Sequence, residues 1–276
     1  MGPTGAGKST FIETATGQDG HTIGHGLRSF TDTIRTVRVT HPMDGKPVVL
    51  VDTPGFGDTS KSDTEILAMI AEWLVKVYKG KFNLATIVYL HRISDNRMPG
   101  SVLMNLQVFA GMCGQKAMPN VILATTMWDL VEEQVGNGRE QQLKKEFWKD
   151  MVADGCRTER FENTHDSAWD IVDSLALMNQ APVLLSTEMV DTQLRLSETN
   201  AGITLNKELQ KLIAEQKEAA RKLREHAGDQ ANEHVVKGLN ERKAEIDRKI
   251  RQTADQLQQL KIPFSRRFVL FLKGRG

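Results

Sequence analysis

Eight residues at the start of the chain constrain it most. Gly2-Pro3-Thr4-Gly5-Ala6-Gly7-Lys8-Ser9 fits the pattern G-x-x-x-x-G-K-[ST]. Glycines at these positions let the backbone curl until successive N–H groups face inward on a phosphate. Lys8 brings a point charge to the β- and γ-phosphates, and the Ser9 hydroxyl is suited to a Mg²⁺ ion. Thr10 follows in the helix whose positive end closes the cradle. By itself the pattern also describes an ordinary glycine-rich turn before a helix. Its position is unusual, because such a loop normally follows a β-strand and only Met1 precedes this one.

Downstream, strands alternate with helices. A helix is expected over 9–16, ending at Gly17. Residues 17–31, rich in Gly, His and Thr, read as a loop. A strand over 33–40 and an apolar strand over 47–51, buried on both faces, are joined by the turn Asp44-Gly45, which predicts an antiparallel pair. Asp63 is placed to cap a helix carrying Ile66, Leu67, Ile70, Trp73, Leu74 and Val77. Strands follow at 84–90, 120–126 and 157–163, and helices around Leu106, Leu143 and Ile171. Gly136-Asn137-Gly138 is expected to break the chain between two of these elements. The alternation predicts an α/β domain with a mostly parallel sheet.

After Pro182 the character changes. Leu205, Leu209, Leu212, Ala219 and Leu223 form one helical seam, and Val236, Leu239, Ile246, Ile250, Leu257 and Leu260 a second; both fit heptads. The expected organisation is a domain over 1–180, a helical, coiled-coil extension over 181–262 and a short apolar-basic segment over 263–276. That last segment reads as an element packed on the domain or as a tip for a membrane surface or a partner.

Composition narrows the classes. The net charge of +1 gives no case for nucleic acid. Cys113 and Cys156 are too few for a disulfide framework and point to a reducing compartment. No run reaches eighteen apolar residues, and no signal-peptide pattern opens the chain, so a cytoplasmic protein without a transmembrane segment is expected.

Two further motifs set the chemistry. Asp52-Thr53-Pro54-Gly55 ends the apolar strand; an acidic residue there can hold Mg²⁺, and Gly55 lets a backbone N–H approach the γ-phosphate. Thr125-Thr126-Met127-Trp128-Asp129 ends the strand 120–126. A carboxylate at Asp129 accepts from both N1–H and the 2-amino group of guanine, donors that adenine lacks. Alone, Asp129 could equally cap a helix.

In this order the three motifs resemble those of the P-loop GTPases. DTPGFGD, residues 52–58, is similar to the septin form of the second motif. The T-x-x-D third motif is similar to that of immunity-associated nucleotide-binding GTPases and chloroplast import-receptor GTPases, and fungal G-domain proteins share Tyr89–Asp95 and the helical tail. The resemblance covers roughly residues 2–180 and implies a P-loop NTPase three-layer α/β sandwich whose first strand is missing from this sequence. It implies GTP/GDP and Mg²⁺ as cofactors. Gly2, Pro3, Thr4, Gly5, Ala6, Gly7, Lys8, Ser9, Thr10, Thr126, Asp129 and Asn163 are the implied nucleotide residues, with Lys8, Gly55 and Thr31 in the catalytic roles. Ser9, Asp52 and a switch threonine, Thr31 or Thr33 with Thr31 preferred, are the implied metal ligands. Asn163 is implied at the base, and it can also cap the helix that follows.

Phe56 departs from the pattern, standing where many such enzymes place a water-orienting Gln. Slow hydrolysis is the expectation, with a partner copy or the strand-end residues His91 and Arg92 as sources of a missing group. Met127 stands where a Lys often covers the base. The leading reading is a nucleotide-controlled switch or assembly module that pairs through its G domain or its coil. The alternatives are another P-loop enzyme, an ATPase or a nucleotide kinase, and a scaffold with a degenerate G domain. A strand of about five or six residues ahead of Met1 is expected to raise both stability and nucleotide affinity.

Overall fold

The computed structural model describes residues 1–17, 33–58, 60–82, 84–173 and 181–227, with 244–259 apart from 245 and 249. The elements are α1 (Lys8–Thr16), β1 (Arg35–Thr40), β2 (Pro47–Asp52), α2 (Asp63–Lys79), β3 (Ile87–Arg92), α3 (Gly100–Cys113), β4 (Val121–Thr126), α4 (Glu133–Gln142), α5 (Lys149–Ala153), β5 (Arg157–Arg160), α6 (His165–Asp173), α7 (Leu184–Val190) and α8 (Asn200–Ala227). Another helical stretch runs over 250–259.

The strands form two sheets. β1 and β2 pair antiparallel, as the Asp44-Gly45 turn predicts, and β3, β4 and β5 form a parallel sheet in that order. β4 reads Val-Ile-Leu-Ala-Thr-Thr, and all six residues are buried, as expected of the centre of a sheet covered on both faces. Met1–Pro3 run between the two sheets. The Met1 nitrogen donates to Val88 O (2.6 Å), Leu90 N–H donates to Met1 O (2.9 Å), and Pro3 bridges Phe56.

One large core lies on the α2 and α3 side of the sheet, under Ile66, Leu67, Ile70, Phe109, Met112, Val121 and Leu123; a smaller one, around Phe11, Leu90, Ile122, Phe161 and Ile171, lies under α1 and α6. The first seam of the tail joins the large core. Leu205 and Leu209 are buried there and α8 lies along α3, while Leu212 remains 37% exposed. The 250–259 helix rests on the start of α2, where Ser62 Oγ donates to Gln259 Oε1 (3.1 Å) and Thr64 Oγ1 to Gln256 O (3.3 Å). Val236, Leu239, Leu260 and the segment 263–276 lie outside the described residues.

Several local expectations are corrected. β2 is not buried on both faces: its residues largely alternate in exposure and Val49 is 51% exposed, so one face of the strand lacks a covering layer among the described residues. Ser62, not Asp63, caps α2; its hydroxyl accepts from Glu65 N–H while Glu65 accepts from the Ser62 N–H, a reciprocal capping box. Asp63 is left to accept from Gly57 N–H (2.7 Å). Gly136-Asn137-Gly138 does not break the chain but lies inside α4, where Gly136 is tightly packed. The strand over 157–163 ends at Arg160, and the helix expected near Leu143 begins as a π-helical turn over Leu143–Phe147. No helix among the described residues is long and apolar enough to cross a membrane.

Candidate functional site

The phosphate loop is held open by backbone geometry. Gly5 and Gly7 have φ of 77° and 82°, the left-handed region in which a side chain is strained, and Gly7 leads directly into α1. Ala6 is buried, and its carbonyl accepts from Thr126 Oγ1 (3.1 Å), so the end of β4 braces the loop. Thr126, expected among the nucleotide contacts, is buried and acts here through the loop backbone. Thr10 lies half-buried in the first turn of α1.

Lys8 Nζ donates to Pro3 O (2.9 Å). Burial pushes its pKa down to about 8; the charges of Asp52 and Asp58 oppose that shift and the Arg92 charge adds to it. A phosphate there would restore the full charge. Phosphate binding is therefore expected to take up protons, and affinity should fall by up to about tenfold per pH unit above pH 8. Titrations at pH 7, 8 and 9 check this; flat affinity across that range would place the ligand away from Lys8.

The second motif closes over the first. Thr4 N–H donates to Phe56 O (2.9 Å) and Thr4 Oγ1 to Gly55 O (3.2 Å). A β-carbon on Gly55 would lie 2.6 Å from both Lys8 Nζ and Thr4 Oγ1, so only glycine lets the two loops approach this closely. Phe56 turns its ring into the large core, 1% exposed. Ser9 Oγ donates to the buried Asp52 at Oδ2 (2.8 Å). A hydroxyl and a carboxylate at this spacing beside a phosphate cradle are the hard-oxygen donors that Mg²⁺ takes, with phosphate and water oxygens completing its shell. Thr33 is exposed, and Thr31 lies outside the described residues.

Immediately after Thr126, Met127 adopts φ 62° and starts a single 3₁₀ turn, Trp128–Leu130. Asp129 on that turn is exposed and lines a cleft of about 280 Å³ with Trp128, Val131, Glu133, Arg160 and Glu162. The structure thus brings Asp129 together with Glu162, the residue just before Asn163 in the loop expected to close the base pocket. Asn163, expected at the base, instead has its Oδ1 accepting from Thr14 Oγ1 (3.4 Å) on α1 and does not line this cleft. Met127 Sδ accepts from Ser94 Oγ (3.6 Å).

The two strand-end residues separate. Arg92 pairs with Asp95 (Nε–Oδ1 3.2 Å), and its Nη1 lies 3.3 Å from where a β-carbon on Gly5 would be. His91 points the other way, 3% exposed and edge-on to Trp148. Burial pushes its pKa down to about 4, against the attraction of Asp95 and with help from Arg92. The folded imidazole therefore stays neutral while the unfolded one takes up a proton below about pH 6.5. Stability is full above that pH and is lost on acidification, by about 2 kcal/mol at pH 5 from this residue. His91→Gln should flatten that part of the urea-unfolding profile; an unchanged acid limb would mean His91 is protonated in the native state.

A parallel sheet whose central strand braces a phosphate loop, a Ser9–Asp52 hydrogen bond beside that loop and an acidic residue after β4 define a P-loop GTPase fold. The comparisons agree: residues 1–97 match the family described as 50S ribosome-binding GTPase. Among solved structures, a dimerization-deficient mutant of Toc33 from Arabidopsis thaliana is similar at 17% identity, covering 66% of this chain and 84% of that one, with a TM-score of 0.50. A structure from work on dimerization and GTPase activity of the chloroplast translocon components atToc33 and psToc159 is similar at 16% identity, covering 66% and 83%, also with a TM-score of 0.50. Toc33 from Arabidopsis thaliana in complex with GDP and Mg²⁺ is similar at 16% identity over 66% and 84%, with a TM-score of 0.48. No curated protein matches the chain.

Proposed function

We propose that this protein binds GTP with Mg²⁺, hydrolyses it slowly and uses the nucleotide state as a switch or assembly signal. The observation that carries the reading is Asp129, exposed in a cleft three residues after Thr126, which braces the phosphate loop through Ala6 O. A base in that cleft meets a carboxylate, which suits the paired N1–H and 2-amino donors of guanine, whereas adenine has an acceptor at N1 and no 2-amino group. Ser9 and Asp52 would hold the metal, Gly55 N–H the γ-phosphate, and Thr31, or Thr33 in its place, the switch contact.

Slow turnover follows from Phe56. Its ring is in the core, so it cannot orient a water, and an intrinsic rate on the order of 10⁻³ s⁻¹ or lower is expected. Pairing of two copies through the G domain would be one way to complete the site; dimerization is a property of the similar chloroplast proteins. The septin-like motif form, a coiled-coil role for the tail, a cytoplasmic location and membrane-surface contact by 263–276 belong to the same proposal. Competition of GTP against ATP for the full chain with Mg²⁺ tests it, with phosphate release measured in parallel. ATP preferred over GTP would turn the reading to an ATPase or a nucleotide kinase. The buried Phe56 also favours a second reading, a scaffold with a non-hydrolysing G domain; nucleotide binding without phosphate release would support it.

A further inference from the structure

Asp129 carries the guanine reading, yet nothing among the described residues holds its carboxylate: it forms no hydrogen bond or ion pair there. Its placement is inherited from Trp128, the preceding residue on the same 3₁₀ turn. The turn begins from a non-glycine residue in the left-handed region, a conformation that persists only when its surroundings enforce it.

Those surroundings grip the Trp128 ring. Its Nε1–H donates to Thr125 Oγ1 (3.0 Å) at the end of β4. Arg160, the last residue of β5, lays its guanidinium on the ring, with Cζ 4.1 Å from the centroid. Gly136 of α4 leaves the ring no slack, since a β-carbon there would come within 2.6 Å of Trp128 Cζ3. Arg160 is itself fixed, because its Nη2 donates to Asn137 Oδ1 (2.9 Å) and it forms a two-point ion pair with the buried Glu140, Nε to Oε1 at 3.2 Å and Nη2 to Oε2. Burial works against the Glu140 charge, but the Arg160 and Lys144 contacts hold its carboxyl below the usual range. Lys144 Nζ lies 3.3 Å from it.

We infer that Arg160, anchored by Glu140 and stacked on Trp128, is a positioning residue that sets the base selectivity of the cleft by fixing Asp129. The inference rests on the guanine-nucleotide reading of that cleft. A fixed carboxylate accepts from two guanine donors at once, whereas a carboxylate on a loose turn can swing away from adenine and lose discrimination. Arginine suits the task where lysine does not, because its planar fork spans Asn137 and Glu140 while its face remains on the indole.

Affinities of the full chain for Mg-GTP and Mg-ATP test the inference. Arg160→Ala should lower the GTP-to-ATP ratio about tenfold, through weaker GTP binding with ATP affinity held within about twofold. Gly136→Ala, which pushes directly on the ring and removes no charge, should lower the ratio in the same way. Arg160→Met combined with Glu140→Gln leaves no unpaired buried charge and keeps the experiment readable if Arg160→Ala unfolds. Arg160→Lys should recover only part of the ratio. A parallel loss of GTP and ATP affinity would make the cluster merely structural and overturn the inference. A GTP preference that survives all these changes would overturn it alone. A wild-type chain with no GTP preference would overturn the functional reading, and this inference with it.

Discussion

Replacing Lys8 with Ala is expected to weaken Mg-GTP binding by about 10²–10³-fold, corresponding to roughly 3–4 kcal/mol for truncating a desolvated charge against a phosphate. The amine already lies at the mouth of the loop, donating to Pro3 O and facing Gly55, where a γ-phosphate would separate the two. Folding should be little affected. The substitution removes one hydrogen bond, and it also removes a cation whose depressed pKa records the cost of burying it. Isothermal titration at pH 7 and a melting curve on the same sample separate the effects. Unchanged affinity would reject the loop as the phosphate site, and a lost fold would assign Lys8 to stability instead.

Asp129→Asn should lower the GTP-to-ATP affinity ratio by about 10²-fold, within the range seen where a site built to pair a polar group is mismatched. The carboxylate offers acceptors only. The amide offers one acceptor and one donor, and the donor opposes the guanine edge. Asp129 is exposed and makes no bond of its own among the described residues, so the change should cost stability no more than about 0.5 kcal/mol. Competition between the two nucleotides for wild type and variant gives the ratio directly. An unaltered ratio would remove Asp129 from the base contact and leave the cleft to Glu162.

These effects bear on how the protein would work. The phosphate loop, the DTPG loop and α2 are joined in series, from Thr4 to Gly55 and Phe56, then from Gly57 to Asp63 and the Ser62 cap. The 250–259 helix rests on that cap through Gln256 and Gln259. Any movement of Gly55 therefore has a short covalent and hydrogen-bonded path to the tail.

Much of the site was legible in the sequence because its constraints are local. Curling a backbone around phosphate needs glycine at fixed offsets, and a lysine and a serine next to them, so Gly5, Gly7, Lys8 and Ser9 announced themselves. Asp52 was legible for a related reason, since it ends an apolar run, and the structure puts its carboxylate 2.8 Å from Ser9 Oγ. Periodicity likewise indicated α2, β4 and the burial of Leu205 and Leu209. It misjudged Val49, because an apolar strand looks the same whether or not a second layer covers it. It misjudged Gly136 as well. A glycine that makes room for an indole cannot be told, in sequence, from one that breaks a helix.

The base side was the least legible. Asp129 could be named, but what holds it could not, because Arg160, Glu140 and Gly136 belong to no motif and lie on three-dimensional neighbours rather than sequence neighbours. Asn163 and Glu162 differ by one position, and only the turn after β5 decided that Glu162 lines the cleft while Asn163 meets α1. The sequence by itself determined which chemical groups are present and which loops must curl, since those follow from residue type and spacing. The tertiary structure decided which groups face one another, since that depends on how separate strands and helices pack.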